Sequence, residues 1–207
     1  MSPGDLSEPI FSGIALGSVL AVMLGPVFFS LIQTSLHEGY RAGISFAIGV
    51  LAGDALVIAL SYTFASLLNT AEGQPAFRWI GGLVLIGFGV YSFFHKIRQR
   101  EVDDEKKVVH TEFLFKGFVL NVSNPAVLFF WLGVVGLVSS KTEYTRMHTA
   151  IFFVTALLTV FLLDVLKALA SHWLKKILRP EFMLWLNRIV GIALIVFGVS
   201  IILGKNT

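Results

Sequence analysis

Apolar residues along this chain come in long runs, without the strict alternation of a strand or the narrow stripe of a soluble amphipathic helix. A helix needs about 20 apolar residues to cross a hydrocarbon core of roughly 30 Å. Six runs reach that length, at 10–34, 42–68, 77–95, 114–138, 149–171 and 184–204. The pattern therefore predicts an all-α integral membrane protein with six transmembrane helices. Connections are short except for 96–112, KIRQREVDDEKKVVHTE, which carries both signs of charge and reads as a solvated loop at the molecule's midpoint.

The runs are related to one another. Residues 80–90, IGGLVLIGFGV, and 189–199, IVGIALIVFGV, agree at seven of eleven positions. Asp54 and Asp164 stand 110 apart, each inside the second run of its half, and Pro26 and Pro125 each interrupt a first run. The chain thus divides into a three-helix repeat over 1–95, the charged loop over 96–112, and a second repeat over 113–207. Three crossings per unit invert the second repeat relative to the first. Inverted repeats with interrupted first helices are a transporter signature, because pseudo-two-fold symmetry in the membrane plane supports alternating access to a central site.

The interruptions carry candidate chemistry. In AVMLGPVFFSLIQTSL, residues 21–36, Gly25-Pro26 falls where a spanning helix should be unbroken. Pro26 would free the Val22 carbonyl, and in NVSNPAVLFFW, residues 121–131, Pro125 would free that of Asn121, with Asn124 just before it. Lipid cannot satisfy such groups, so broken backbone belongs against protein or a wet cavity. Half-helix N-termini suit a carboxylate and freed carbonyls suit an ammonium or cation. An amino acid has both groups.

Composition narrows the class. Of 207 residues 56% are hydrophobic and only 14% charged, too little polar surface for a soluble domain of this length. Without cysteine there is no disulfide, thiolate metal site or cysteine nucleophile. No catalytic constellation, cofactor motif or Walker-type ATP site is visible, so neither an enzyme nor a resident cofactor is expected. A net charge of +3, with basic residues in loops, does not imply nucleic-acid binding. Asp5 and Glu8 without Lys or Arg leave the N-terminus unlike a cleaved signal, so the first run is expected to be retained.

Orientation follows from the basic residues. Eleven lie on the face holding loops 1–2, 3–4 and 5–6, and four, Arg78, Lys141, Arg146 and Lys205, on the other. The positive-inside rule then puts the charged loop in the cytoplasm and both termini outside. Trp173 and Trp185 would mark the inner interface, with Trp79 and Trp131 toward the outer one. Gly13/Gly17, Gly39/Gly43 and Gly49/Gly53 have the small-xxx-small spacing of close helix packing.

Asp54 and Asp164 carry the second signal. A carboxylate at the bilayer centre costs about 2.5–3.5 kcal/mol on insertion scales, so such residues usually face a cavity and act there. Either could carry a proton or bind a cation. Lys167 follows Asp164 at i, i+3, so that acid could equally sit in a structural ion pair.

The stretches GPVFFSLIQTSLHEGYRAGISFAIGVLAGD and KGFVLNVSNPAVLFFW resemble the lysine-exporter (LysE/RhtB-type) translocator family. The resemblance covers nearly the whole chain and maps Pro26, Asp54, Asn121, Asn124 and Pro125 onto the family's motif positions. It implies proton-coupled export of amino acids or similar small metabolites through a bacterial plasma membrane. Val27 and Ala126 replace the Asn and Lys found in many members, so lysine itself is not implied as substrate. Residues and resemblance together give a candidate substrate or ion site of Gly25, Pro26, Asp54, Asn121, Asn124, Pro125 and Asp164. A homodimer is compatible with this reading. The competing reading is export of a hard divalent cation such as manganese, with the two aspartates as oxygen ligands and no resident metal.

Overall fold

The structure, a computed structural model, describes residues 6–22, 25–68 and 110–174, with single helical positions between 79 and 90 and between 185 and 203. Apart from those positions, the third and sixth predicted spans, the matched segments at 80–90 and 189–199, and most of the charged loop lie outside the described residues. Among the described residues all regular structure is helical: α1 (Ser7–Val22), α2 (Pro26–His37), α3 (Tyr40–Leu68), α4 (His110–Val122), α5 (Pro125–Ser139), α6 (Arg146–Leu169) and α7 (Ser171–Leu174). Among the described residues two helices, Tyr40–Thr63 and Arg146–Leu169, are long and apolar enough to cross a membrane unaided. α1 with α2, and α4 with α5, qualify as two more if each bent pair is one span. The charged segment ends earlier than its composition suggested, because His110, Thr111 and Glu112 already belong to α4.

Both expected interruptions occur. α1 and α2 meet at 72°, α4 and α5 at 64°. Each second half-helix starts with proline in its first turn, where the missing N–H costs no helical bond. Asn124 caps α5, its side-chain oxygen accepting from Ala126 N at 3.1 Å, whereas Gly25 gives α2 no side-chain cap. The Asn121 carbonyl, expected to be free, accepts from Asn124 N at 3.0 Å. A tight last turn closes α4 and satisfies that oxygen from within the chain.

Glycine decides how the helices approach. α1 lies on α6 with Gly13 against the Phe152 carbonyl and Gly17 against that of Ala156, where an added Cβ would come within 2.6 Å of each oxygen. α3 and α4 approach in the same manner, Gly49 against Leu114 and Gly117 against Phe46. Small residues permit such contacts where burial against lipid supplies little drive for helices to associate. The Gly39/Gly43 pair does not follow this rule. Gly43 faces Ser35, but Gly39 holds φ +87° in the turn between α2 and α3, with nothing within 4 Å of its Cβ position. It is there because a left-handed turn favours glycine.

Two apolar clusters result. One gathers Val57, Ile58, Trp131, Val135, Phe153 and Ala156, the other Leu31, Ala42, Phe46, Val50, Phe113 and Ala168. α6 is polarised in the sense a membrane helix requires: Val154, Leu158, Leu162, Leu166 and Leu169 form an exposed row, and Ala156, Val160, Asp164 and Ala168 are buried. Beyond the clusters, Glu8 of α1 is tied to the α5–α6 connection. Lys141 Nζ donates to Glu8 at 2.7 Å, and the Tyr144 hydroxyl donates to the same carboxylate. The bond to Glu8 holds the Lys141 ammonium above its ordinary pKa, while burial and then Glu8 push the Tyr144 phenol up.

Candidate functional site

Asp54 lies on α3 fourteen residues past Tyr40, about 21 Å along a helix at 1.5 Å per residue. One helical turn before it is Val50 of the second cluster, and just beyond is Val57 of the first. The carboxyl group is thus placed between two dry layers, 2% exposed. The Asn121 side-chain amide reaches it from α4. Its Nδ2 donates to Asp54 Oδ1 at 2.9 Å and to the Val50 carbonyl at 2.9 Å, spanning one turn of α3. Gly53 makes this possible, since a Cβ there would fall 2.9 Å from Asn121 Nδ2. Gly53-Asp54 therefore pairs a space with a charge.

A third residue completes the group. Trp131 of α5, wholly buried, donates from Nε1 to Asp54 Oδ1 at 2.8 Å. The expectation that Trp131 anchors the outer interface is wrong: its ring packs on Phe130 and Phe153 in the core. The signal was an indole N–H in an apolar span, since a buried tryptophan usually needs an acceptor. Trp173, by contrast, is exposed. Both donors to Asp54 are neutral and both converge on Oδ1, leaving Oδ2 with neither.

Asp164 forms a second centre. It is 4% exposed on α6, and Lys167 Nζ lies 2.5 Å from its Oδ1. Lys167 also donates to the Ala21 carbonyl in the last turn of α1 at 2.7 Å, and its ammonium sits 5.2 Å from the centre of the Phe28 ring. The i, i+3 ion pair is therefore present. The pair is not purely local, because Lys167 reaches the first broken helix.

The expected residues thus separate into two groups. Asp54 and Asn121 touch, with Asn124-Pro125 at the break immediately beyond Asn121. Asp164 is linked through Lys167 to Ala21 of α1, just ahead of Gly25-Pro26, and Gly25, Pro26, Asn124 and Pro125 are all half-buried. Sequence reasoning missed Trp131, Ala21 and Phe28. Among the described residues, the buried Thr34 and Tyr62 hydroxyls find no hydrogen-bond partner.

The profile of the LysE type translocator family matches residues 18–205. The chain belongs to this family. It is therefore a multi-pass membrane translocator for small molecules, not an enzyme. Among its relatives, "Putative amino acid efflux protein YcgF" of Bacillus subtilis is 25% identical over 90% of this chain and 91% of its own. The "Leucine efflux protein" of Salmonella choleraesuis is 26% identical over 68% of this chain and 67% of its own. An uncharacterized membrane protein of Synechocystis is 19% identical over 90% of this chain and 92% of its own. No solved structure matches this LysE-type translocator.

Proposed function

We propose that this chain is a secondary exporter of amino acids or amino-acid-like metabolites from the bacterial cytoplasm, driven by proton antiport. The observation that carries the reading is the buried Asp54 carboxyl group, held by the neutral donors Asn121 and Trp131, with no cationic partner among the described residues. Hydrogen bonds to a charged group contribute about 1.5–3 kcal/mol each, enough for the two together to offset the roughly 2.5–3.5 kcal/mol insertion cost of the carboxylate. The charged form can thus be held in the core by neutral donors, a set that does not bar the group from taking up a proton. Export against a gradient needs no ATP, since one charge moving through 100 mV supplies about 2.3 kcal/mol.

The proposed architecture is six helices in two inverted repeats, over 1–95 and 113–207, with the charged loop in the cytoplasm and both termini outside. Reciprocal packing supports it. The first span of each half lies by glycine contacts on the second span of the other, α1 on α6 and α4 on α3. Each buried aspartate meets the other half's first span, Asp54 at Asn121 and Asp164, through Lys167, at Ala21. Two interlocked halves of this kind can rock about a shared site.

The test is uptake of labelled leucine and other amino acids into everted vesicles, with and without a proton gradient, beside manganese. Gradient-dependent amino-acid uptake is expected. Uptake of manganese alone, or amino-acid uptake indifferent to the gradient, overturns the reading.

A further inference from the structure

The surroundings of Lys167 look like a binding site for its own head group. An ammonium has positive charge and three N–H donors, so its complement is a carboxylate, a carbonyl oxygen and an aromatic face. Around Lys167 Nζ these are Asp164 Oδ1 at 2.5 Å, the Ala21 carbonyl at 2.7 Å and the Phe28 ring at 5.2 Å. All three residues are buried, Ala21 and Asp164 at 4% exposure and Phe28 at 8%. Neutralising Asp164 alone would need only the i, i+3 contact along α6. Instead the ammonium crosses to the end of α1 and the start of α2, the two sides of a broken helix.

From this geometry we infer that Asp164, the Ala21 carbonyl and Phe28 form a primary-ammonium site that Lys167 fills in this conformation, and that the ammonium of an amino-acid substrate takes its place during transport. The exchange is chemically even. One primary ammonium replaces another and Asp164 stays paired; the zwitterion adds no net charge, and its carboxylate is the counter-charge available to the displaced Lys167 ammonium. The four-carbon stem of Lys167, in the last turn of α6, gives its head group the reach to withdraw. The carboxylate of the incoming amino acid would then lie toward α2, whose first amides have no side-chain cap and whose Gly25 has nothing within 4 Å of its Cβ position. Asp54, whose donors are neutral, has no such internal substitute among the described residues, which separates the proton-carrying role proposed above from substrate binding. The exchange step rests on the amino-acid export reading; the ammonium site itself does not.

The test empties the site and offers it a free ammonium. Lys167→Ala, purified in detergent, is melted in ethylammonium chloride and in sodium and tetraethylammonium chloride at matched ionic strength. Binding to the folded state raises the melting temperature saturably. Ethylammonium is expected to stabilise Lys167→Ala with an affinity at least tenfold above any effect on the wild type. The other two salts should not do so, and Asp164→Asn/Lys167→Ala should lose the response. An equal response in all proteins and salts, or none in Lys167→Ala, overturns the site. Should Lys167→Ala fold poorly, the yield of folded protein is compared between purification throughout in ethylammonium and in sodium: rescue by ethylammonium supports the site and its absence overturns it. Leucine must also compete with ethylammonium for Lys167→Ala. Failure to compete overturns the exchange step, whereas failure of the wild type to transport any amino acid overturns the export reading and leaves a positive ethylammonium result standing.

Discussion

Replacing Asp54 by asparagine changes one oxygen to an amide nitrogen and removes the group's ability to ionise. The remaining carbonyl oxygen can stay where Oδ1 is, still accepting from Asn121 Nδ2 and Trp131 Nε1. The new NH2 takes the Oδ2 position, which neither donor uses. Packing is unchanged in volume, and the cost of burying the new NH2 replaces that of burying the carboxyl group, so the net stability change should be within about 1 kcal/mol, the scale of one ordinary hydrogen bond. Alanine differs. It strips Trp131 Nε1 of its acceptor and leaves Asn121 only the Val50 carbonyl, at about 1–3 kcal/mol for each buried donor left short, together with a cavity. The pair of variants therefore separates bracing from proton carriage. Asp54→Asn should melt in detergent close to the wild type yet lose gradient-driven leucine uptake in everted vesicles, while leucine exchange survives. Asp54→Ala should lose both stability and transport. Undiminished gradient-driven uptake by Asp54→Asn would refute proton carriage, and a melting drop as large as that of alanine would refute the hydrogen-bond geometry.

Four further outcomes are expected. Trp131→Phe keeps an aromatic ring but removes the indole donor, and should lower stability in detergent by about 1–3 kcal/mol while leaving insertion intact. Gly49→Ala drives a methyl into the Leu114 carbonyl, and melting of the purified variant should show a loss of about 1–3 kcal/mol from overpacking. Lys141→Met removes a pair about one-third exposed, so its cost should stay below about 1 kcal/mol. Because the folded Lys141 pKa is raised, that contribution is complete below the unfolded lysine value of 10.5 and fades as pH climbs through the folded one. The raised Tyr144 pKa acts in the same direction, and parallel melts of wild type and Lys141→Met across the alkaline range should converge. Single cysteines at Gln99 and Asn206 should label from opposite faces of intact cells, Asn206 from outside; the reverse would sink the proposed orientation.

The helices and their breaks were legible because each is a local property. A run of apolar residues sets the length of a span, and Gly-Pro or Asn-Pro sets where it bends. Asp54 and Asn121 were legible as polar groups that lipid cannot solvate. What the sequence did not disclose was pairing between distant segments. Asn121 meets Asp54 across 67 residues and Trp131 meets it across 77, separations that no periodicity encodes. Trp131 was misplaced because tryptophan in a span more often sits at an interface. Gly39 was misplaced because four-residue spacing to Gly43 fits a packing face as well as a turn. Its position directly after His37-Glu38, a polar boundary, was the discriminating sign. Asp164 had two consistent readings, and only the contact of Lys167 with Ala21 and Phe28 added the cross-chain context.

The lysine that completes the end of α1 also sets a clock on biosynthesis. Ala21 must wait for Lys167, 146 residues downstream, before its carbonyl receives the ammonium. At about 5–20 residues per second the ribosome takes roughly seven to thirty seconds to make that stretch. Through that interval α1 sits in the membrane with its glycine face uncovered and its broken end uncapped. A nascent chain that stalls before α6 is therefore an incomplete first half whose packing surfaces have no partner, and membrane quality control should recognise it by that exposed glycine face.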